Sequence, residues 1–149
     1  MTETLFDITF PLVVPFWALM IFAPTWRWTR RIIASPLIVV PPLVVYTALV
    51  APHLGELWRT MSQPSLAGLL AFLGTPWGTA AVWAQVIAWD LFIGRWMYHQ
   101  SRRIGIHPLV MGPLFVFTIL LSPFGLLLFL VVRKLCDAPD RATKVVTGQ

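Results

Sequence analysis

Asp90 is the residue in this chain whose type and setting most plainly suggest chemistry. It lies in the stretch Trp83–Arg95, WAQVIAWDLFIGR, inside an apolar run long enough to cross a bilayer. A carboxylate at that depth costs from about 3 kcal/mol upward unless a partner, a cavity or a reaction compensates. Such a group can act as an acid or base, or can anchor the polar end of a ligand in a dry site. Burial would raise its pKa and a neighbouring arginine would lower it, so the balance decides whether it exchanges protons near neutrality. The plainer alternative is a buried Asp–Arg pair that fixes helix packing.

On a helix, Trp83, Val86, Asp90, Gly94 and Met97 share one stripe, with Gln85, Trp89 and Trp96 on a neighbouring one. Gly94 has no side chain, so another backbone can approach there. Trp83 and Trp89 lie deeper than an interfacial belt, where they pack against helices, face lipid or line a pocket for a flat conjugated ligand. Arg95 is about 140° around the helix from Asp90, away from the ideal intrahelical pair. Arg95 reaching obliquely, Arg133, His99 and His107 are the candidate partners. A second feature is Ser122-Pro123-Phe124-Gly125, where Pro123 and Gly125 predict a kink or local unwinding beside a cavity or a packing contact.

The elements that must position these residues are membrane helices. The 149 residues are 58% hydrophobic and 11% charged, and the mean hydropathy is +0.78. Soluble domains run at about 45–50% apolar and about 25% charged. The expected fold is an all-α integral membrane protein. It is a single transmembrane domain over 1–149 with four spans, at about 5–23, 36–58, 77–98 and 109–132, and a polar tail at 134–149. Alternating strands of the outer-membrane type are absent. Pro11 and Pro15 predict a bend in the first span. Pro41 and Pro42 predict either a helix start or a kink in the second. Between the second and third spans, Gln63–Gly74 is apolar but too short to cross and is expected as an interfacial or re-entrant helix.

The net charge of +5 reflects arginines that flank apolar runs. It points to topology and anionic lipid headgroups, and away from nucleic acid. Arg27, Arg30, Arg31, Arg95, Arg102 and Arg103 fall on one side of the expected layout. Arg59, Arg133, Lys134, Arg141 and Lys144 fall on the other. That bias, with the acidic start, orients the N-terminus outward. Glu3 and Asp7 without a leading base argue for a retained first span over a cleaved signal. Trp26, Trp28, Trp96 and Tyr98 are placed as a headgroup belt. Cys136, the one cysteine, is read as a juxtamembrane thiol. The histidines at 53, 99 and 107 have no ligand spacing, and no metal, nucleotide or nucleophile motif is present.

WAQVIAWDLFIGRW at Trp83–Trp96, followed by SPFGLLLFLVVR at Ser122–Arg133, resembles the abscisic-acid-deficient-four-like (ABA4-like) membrane proteins, a neoxanthin-synthase-associated family. The resemblance implies a membrane protein of carotenoid (xanthophyll) metabolism. Its plant members are needed for making neoxanthin from violaxanthin, an epoxide-to-allene isomerisation without net redox change. It implies Asp90 as base and Arg95 as electrostatic stabiliser, with no cofactor. Trp83, Gln85, Trp89, Gly94, Pro123 and Gly125 are then the candidate ligand-binding residues. The family usually has His where this chain has Gln85, and glutamine cannot shuttle a proton as imidazole does. The alternative is a non-catalytic accessory subunit that binds carotenoid, lipid, a second copy or another membrane protein. The expected location is a bacterial inner membrane or a photosynthetic membrane.

Overall fold

The computed structural model describes residues 1–146, with side chains as far as Cys136. The chain is all-helical among the described residues. The α-helices are α1 (Thr2–Phe22), α2 (Arg27–Ala34), α3 (Val40–Val50), α4 (Leu54–Ser62), α5 (Leu66–Leu73), α6 (Pro76–Ile104), α7 (Pro108–Leu120) and α8 (Ser122–Val146). Short 3-10 turns at Pro36–Val39 and Ala51–His53 join α3 to its neighbours.

This is a membrane protein by the length and composition of its helices. Two segments are long and apolar enough to cross a bilayer among the described residues: Thr2–Phe22, with a mean hydropathy of 2.0, and Pro36–Ser62, with 1.9. In both, most of the apolar window faces away from the protein. Lipid is then the solvent for those side chains. A third span arises if α5 and α6, bent by 94° at their junction, count as one.

The prolines act in different ways. α1 is assigned as one helix through Pro11 and Pro15. Pro41 and Pro42 fall in the first turn of α3, where a missing N–H leaves no carbonyl unserved. The apolar segment therefore runs on through α4, past Trp58 to Ser62. The run expected as one span over 109–132 is divided at Leu121, whose backbone is non-helical (φ −142°, ψ 63°). Pro123 has no N–H for the carbonyl of Ile119, so the helix stops and restarts at Ser122. α8 continues through the polar stretch to Val146, and the end of the expected tail at 147–149 lies outside the described residues.

Two compact units divide the chain. One comprises Met1–Pro15 and Pro36–Leu91, the other Phe16–Ser35 and Phe92–Gln149. In the first, Val45, Leu49 and Val50 of α3 pack on Ala80, Ala81 and Ala84 of α6, with Leu5, Tyr46 and Leu57 at the margin. Small residues on α6 let the helices approach closely, which is how association is won in lipid. In the second, the indole of Trp17 meets Phe115 edge-on at 6.0 Å, and Met97, Tyr98, Phe115 and Phe129 are buried.

Candidate functional site

The start of α6 is fixed by its sequence. Thr75 is its N-cap, accepting from the N–H of Gly78 at 3.1 Å while its hydroxyl donates to the carbonyl of Phe72 at 2.7 Å. Pro76 stands at the first helical position, where its fixed φ suits the helix. Gly78 passes so close to the Phe72 carbonyl that a Cβ there would overlap it. Together these hold the bend between α5 and α6. The short helix expected before the third apolar run is α5, capped by Ser65.

From this start, α6 presents Ala80, Ala81, Ala84, Ile87, Ala88 and Leu91 to the protein interior. Asp90 lies on the flank of that stripe and is 7% exposed. At 1.5 Å per residue it sits about 21 Å along the axis from Pro76, short of the roughly 30 Å of a hydrocarbon core. The residue is enclosed by protein within an apolar helix.

The other candidates in the same unit point elsewhere. Trp83 is 37% exposed and packs against Phe6 at a tilt of 33°, with ring centres 5.6 Å apart. Gln85 and Trp89 are exposed, and Trp89 is 57% so. They lie about 100–140° around the helix from Asp90 and turn outward. Val86, placed on Asp90's stripe by helical spacing, is also exposed.

In the second unit, Gly94 is buried beneath Trp17, whose ring fills the space of a missing Cβ. Where a backbone was expected to approach Gly94, the neighbour is instead the Trp17 indole. Arg95 donates from Nε to the carbonyl of Ile33 at 2.9 Å and from Nη2 to that of Ala34 at 2.6 Å. His99 Nε2 donates to the same Ile33 carbonyl at 3.1 Å, and Tyr98 Oη to that of Pro24 at 2.6 Å. The last carbonyls of a helix have no partner within it, and a cation suits that end electrostatically. Arg95 meets both needs for α2, and His99 adds a second donor to the Ile33 carbonyl. Among the other proposed partners of Asp90, Arg133 lies over the Trp96 ring at 5.9 Å. His107 caps α7 through Nδ1, which accepts from Leu109 N–H.

The loop at the α7–α8 break is also in this unit. Pro123 is exposed, while Gly125 is buried against Thr118 so tightly that a Cβ would collide with it. Thr118 returns its hydroxyl to the carbonyl of Leu114 at 2.8 Å.

Helical spacing alone does not single out Trp17, Tyr98 or the carbonyls of Ile33 and Ala34. The small-residue series Ala80, Ala84, Ala88, Gly94 and Ser101 was the available sign of which face turns inward. A second group it did not single out is a cavity of about 430 Å³ lined by Ala34, Arg95, His99, Gln100, Arg102 and Arg103.

Comparison with known proteins gives one match. The family model described as ABA DEFICIENT 4-like covers residues 4–129. No curated protein and no solved structure matches the chain.

Proposed function

The chain belongs to the ABA DEFICIENT 4-like family, and on that premise we propose that it is an isomerase of xanthophyll metabolism, with Asp90 as its reacting group. The observation that carries this reading is the shelter of Asp90, 7% exposed in an apolar helix. A carotenoid lies within the bilayer, so a group that reacts with it must be held there too.

The chemistry is an epoxide-to-allene isomerisation. The carboxylate takes the hydrogen from the vinylic carbon beside the epoxide. The freed electron pair forms the second double bond of the allene, the neighbouring C–O bond breaks, and the oxygen takes up a proton as a hydroxyl. Atoms and charge balance without an oxidant or reductant. In this scheme Arg95, the arginine of the family pattern, supplies the positive charge for the developing alkoxide. Two of its N–H groups serve carbonyls, and the remainder are the ones this scheme uses.

The test is production of the chain in a host that accumulates violaxanthin, followed by pigment chromatography. Conversion by the native chain and its loss in Asp90→Asn, at equal membrane insertion, is the expected result. Full conversion by Asp90→Asn overturns the assignment.

A second reading has its own support. Trp83, Val86 and Trp89 form an outward apolar face, and Gln85 stands where the family usually carries His. Both suit an accessory subunit that holds pigment or another membrane protein without reacting. Unaltered pigment that co-purifies in fixed proportion, with no conversion by the native chain, selects this reading.

A further inference from the structure

The cavity between the end of α2 and the last turns of α6 is assembled from cations. Arg95, Arg102 and Arg103 line it with His99, Gln100 and Ala34. Two of its walls are held in place. Arg95 and His99 are fixed on the carbonyls of Ile33 and Ala34, and Arg102 Nη2 donates to the carbonyl of Ile106 at 2.9 Å. Each of these bonds is to a neutral acceptor, so the positive charge of the guanidinium groups is undiminished. Arg103 is exposed, and no side-chain hydrogen bond ties it to the described residues.

Among the described residues, no carboxylate lines this cavity. Like charges gathered around one space repel, and they are held together at lower cost when an anion lies among them. Guanidinium groups match phosphate oxygens in geometry as well as charge. The level is also suitable. Arg102 and Arg103 stand in the last turn of α6, at the polar end of an apolar run, where headgroups are met. At the start of α2, Trp26 and Trp28 are 52% and 44% exposed, and the guanidinium groups of Arg27 and Arg31 lie over the Trp28 ring at 5.6 and 5.9 Å. Exposed indoles beside arginines belong at that boundary.

We propose that this cavity is a binding site for a phosphate group at the membrane surface, in which Arg102 and Arg103 bind the phosphate oxygens and Arg95, His99 and Gln100 complete the wall. The phosphate is that of an anionic phospholipid headgroup or of a small soluble ester, and one experiment separates the two. The site does not depend on the carotenoid reading.

The experiment titrates the purified full chain in detergent with phosphatidylglycerol, phosphatidylcholine or inorganic phosphate, and counts bound molecules by native mass spectrometry. Preferential binding of phosphatidylglycerol, weakened about fivefold in Arg103→Gln and retained in Arg103→Lys, supports the site with lipid as its source. Inorganic phosphate binding with the same Arg103 dependence supports it with a soluble source. Arg59→Gln makes the same change in net charge on another helix. An equal loss in that variant, or no loss in Arg103→Gln, overturns the proposal. Should Arg103→Gln fail to purify folded, the unaltered chain decides by salt. Binding that persists unchanged from low to high ionic strength overturns a charge-built site.

Discussion

The Trp17 indole occupies the volume that a side chain at Gly94 would need. α1 and α6 are thus fitted through one large and one absent side chain, and Trp17 continues the contact edge-on to Phe115. Gly94→Ala forces the indole aside in a packed interior and is expected to cost about 1–3 kcal/mol. Thermal unfolding in detergent measures it. Pairing Gly94→Ala with Trp17→Leu is expected to recover part of the loss, and strictly additive losses would count against the contact.

Arg95→Lys keeps the charge and loses the planar fork that reaches two successive carbonyls. The Ile33 and Ala34 carbonyls are then poorly served, at about 1–3 kcal/mol. The expected outcome is earlier proteolysis within α2 and lower thermal stability, with Arg95→Gln at least as severe. A lysine variant as stable as the native chain would show that the bonds to α2 contribute little.

Thr29 is fully buried, and its hydroxyl has no hydrogen-bond partner among the described residues. An unpaired buried hydroxyl is a net cost. Thr29→Val keeps the shape and removes that group, so a rise in melting temperature is expected, equivalent to about 1 kcal/mol. A clear fall would mean that the hydroxyl is bonded after all.

Asp90→Glu and Asp90→Asn separate chemistry from packing. Asn preserves volume and removes the charge. Glu keeps the acid on a longer arm. If Asp90 reacts, pigment conversion falls about a hundredfold or more in Asn and less in Glu, whatever the change in stability. A structural pair alone would make conversion follow the amount of folded protein in both variants.

The apolar runs, the short helix ahead of the third of them and the sheltered Asp90 were legible in the sequence, because each follows from hydropathy, chain length or turn chemistry. The inward face of α6 was harder. Helical spacing places Trp83 and Val86 on Asp90's stripe, yet both are exposed, while Ala80, Ala84 and Ala88 turn inward. Period alone says which residues share a side and nothing of which side is covered. In lipid the covered side is the one with small residues, since apolar bulk is as well solvated outside as in. Tyr98 shows the same limit. It belongs to the aromatic end of a span by position, but it is 2% exposed and bonded to Pro24. The division of the last apolar run is a matter of degree that Pro123 and Gly125 announce without fixing. They mark an interruption, and only the backbone at Leu121 shows a complete stop.

Two of the bonds that finish α2 come from Arg95, 61 positions beyond Ala34 and 62 beyond Ile33. While the chain is being made, the carbonyls of Ile33 and Ala34 are exposed long before Arg95 exists. Water must serve them in the meantime, which a helix resting at the bilayer surface allows and one plunged into hydrocarbon does not. Biogenesis therefore has an order: the first arginine-rich segment waits at the boundary, and late-arriving α6 locks it in place.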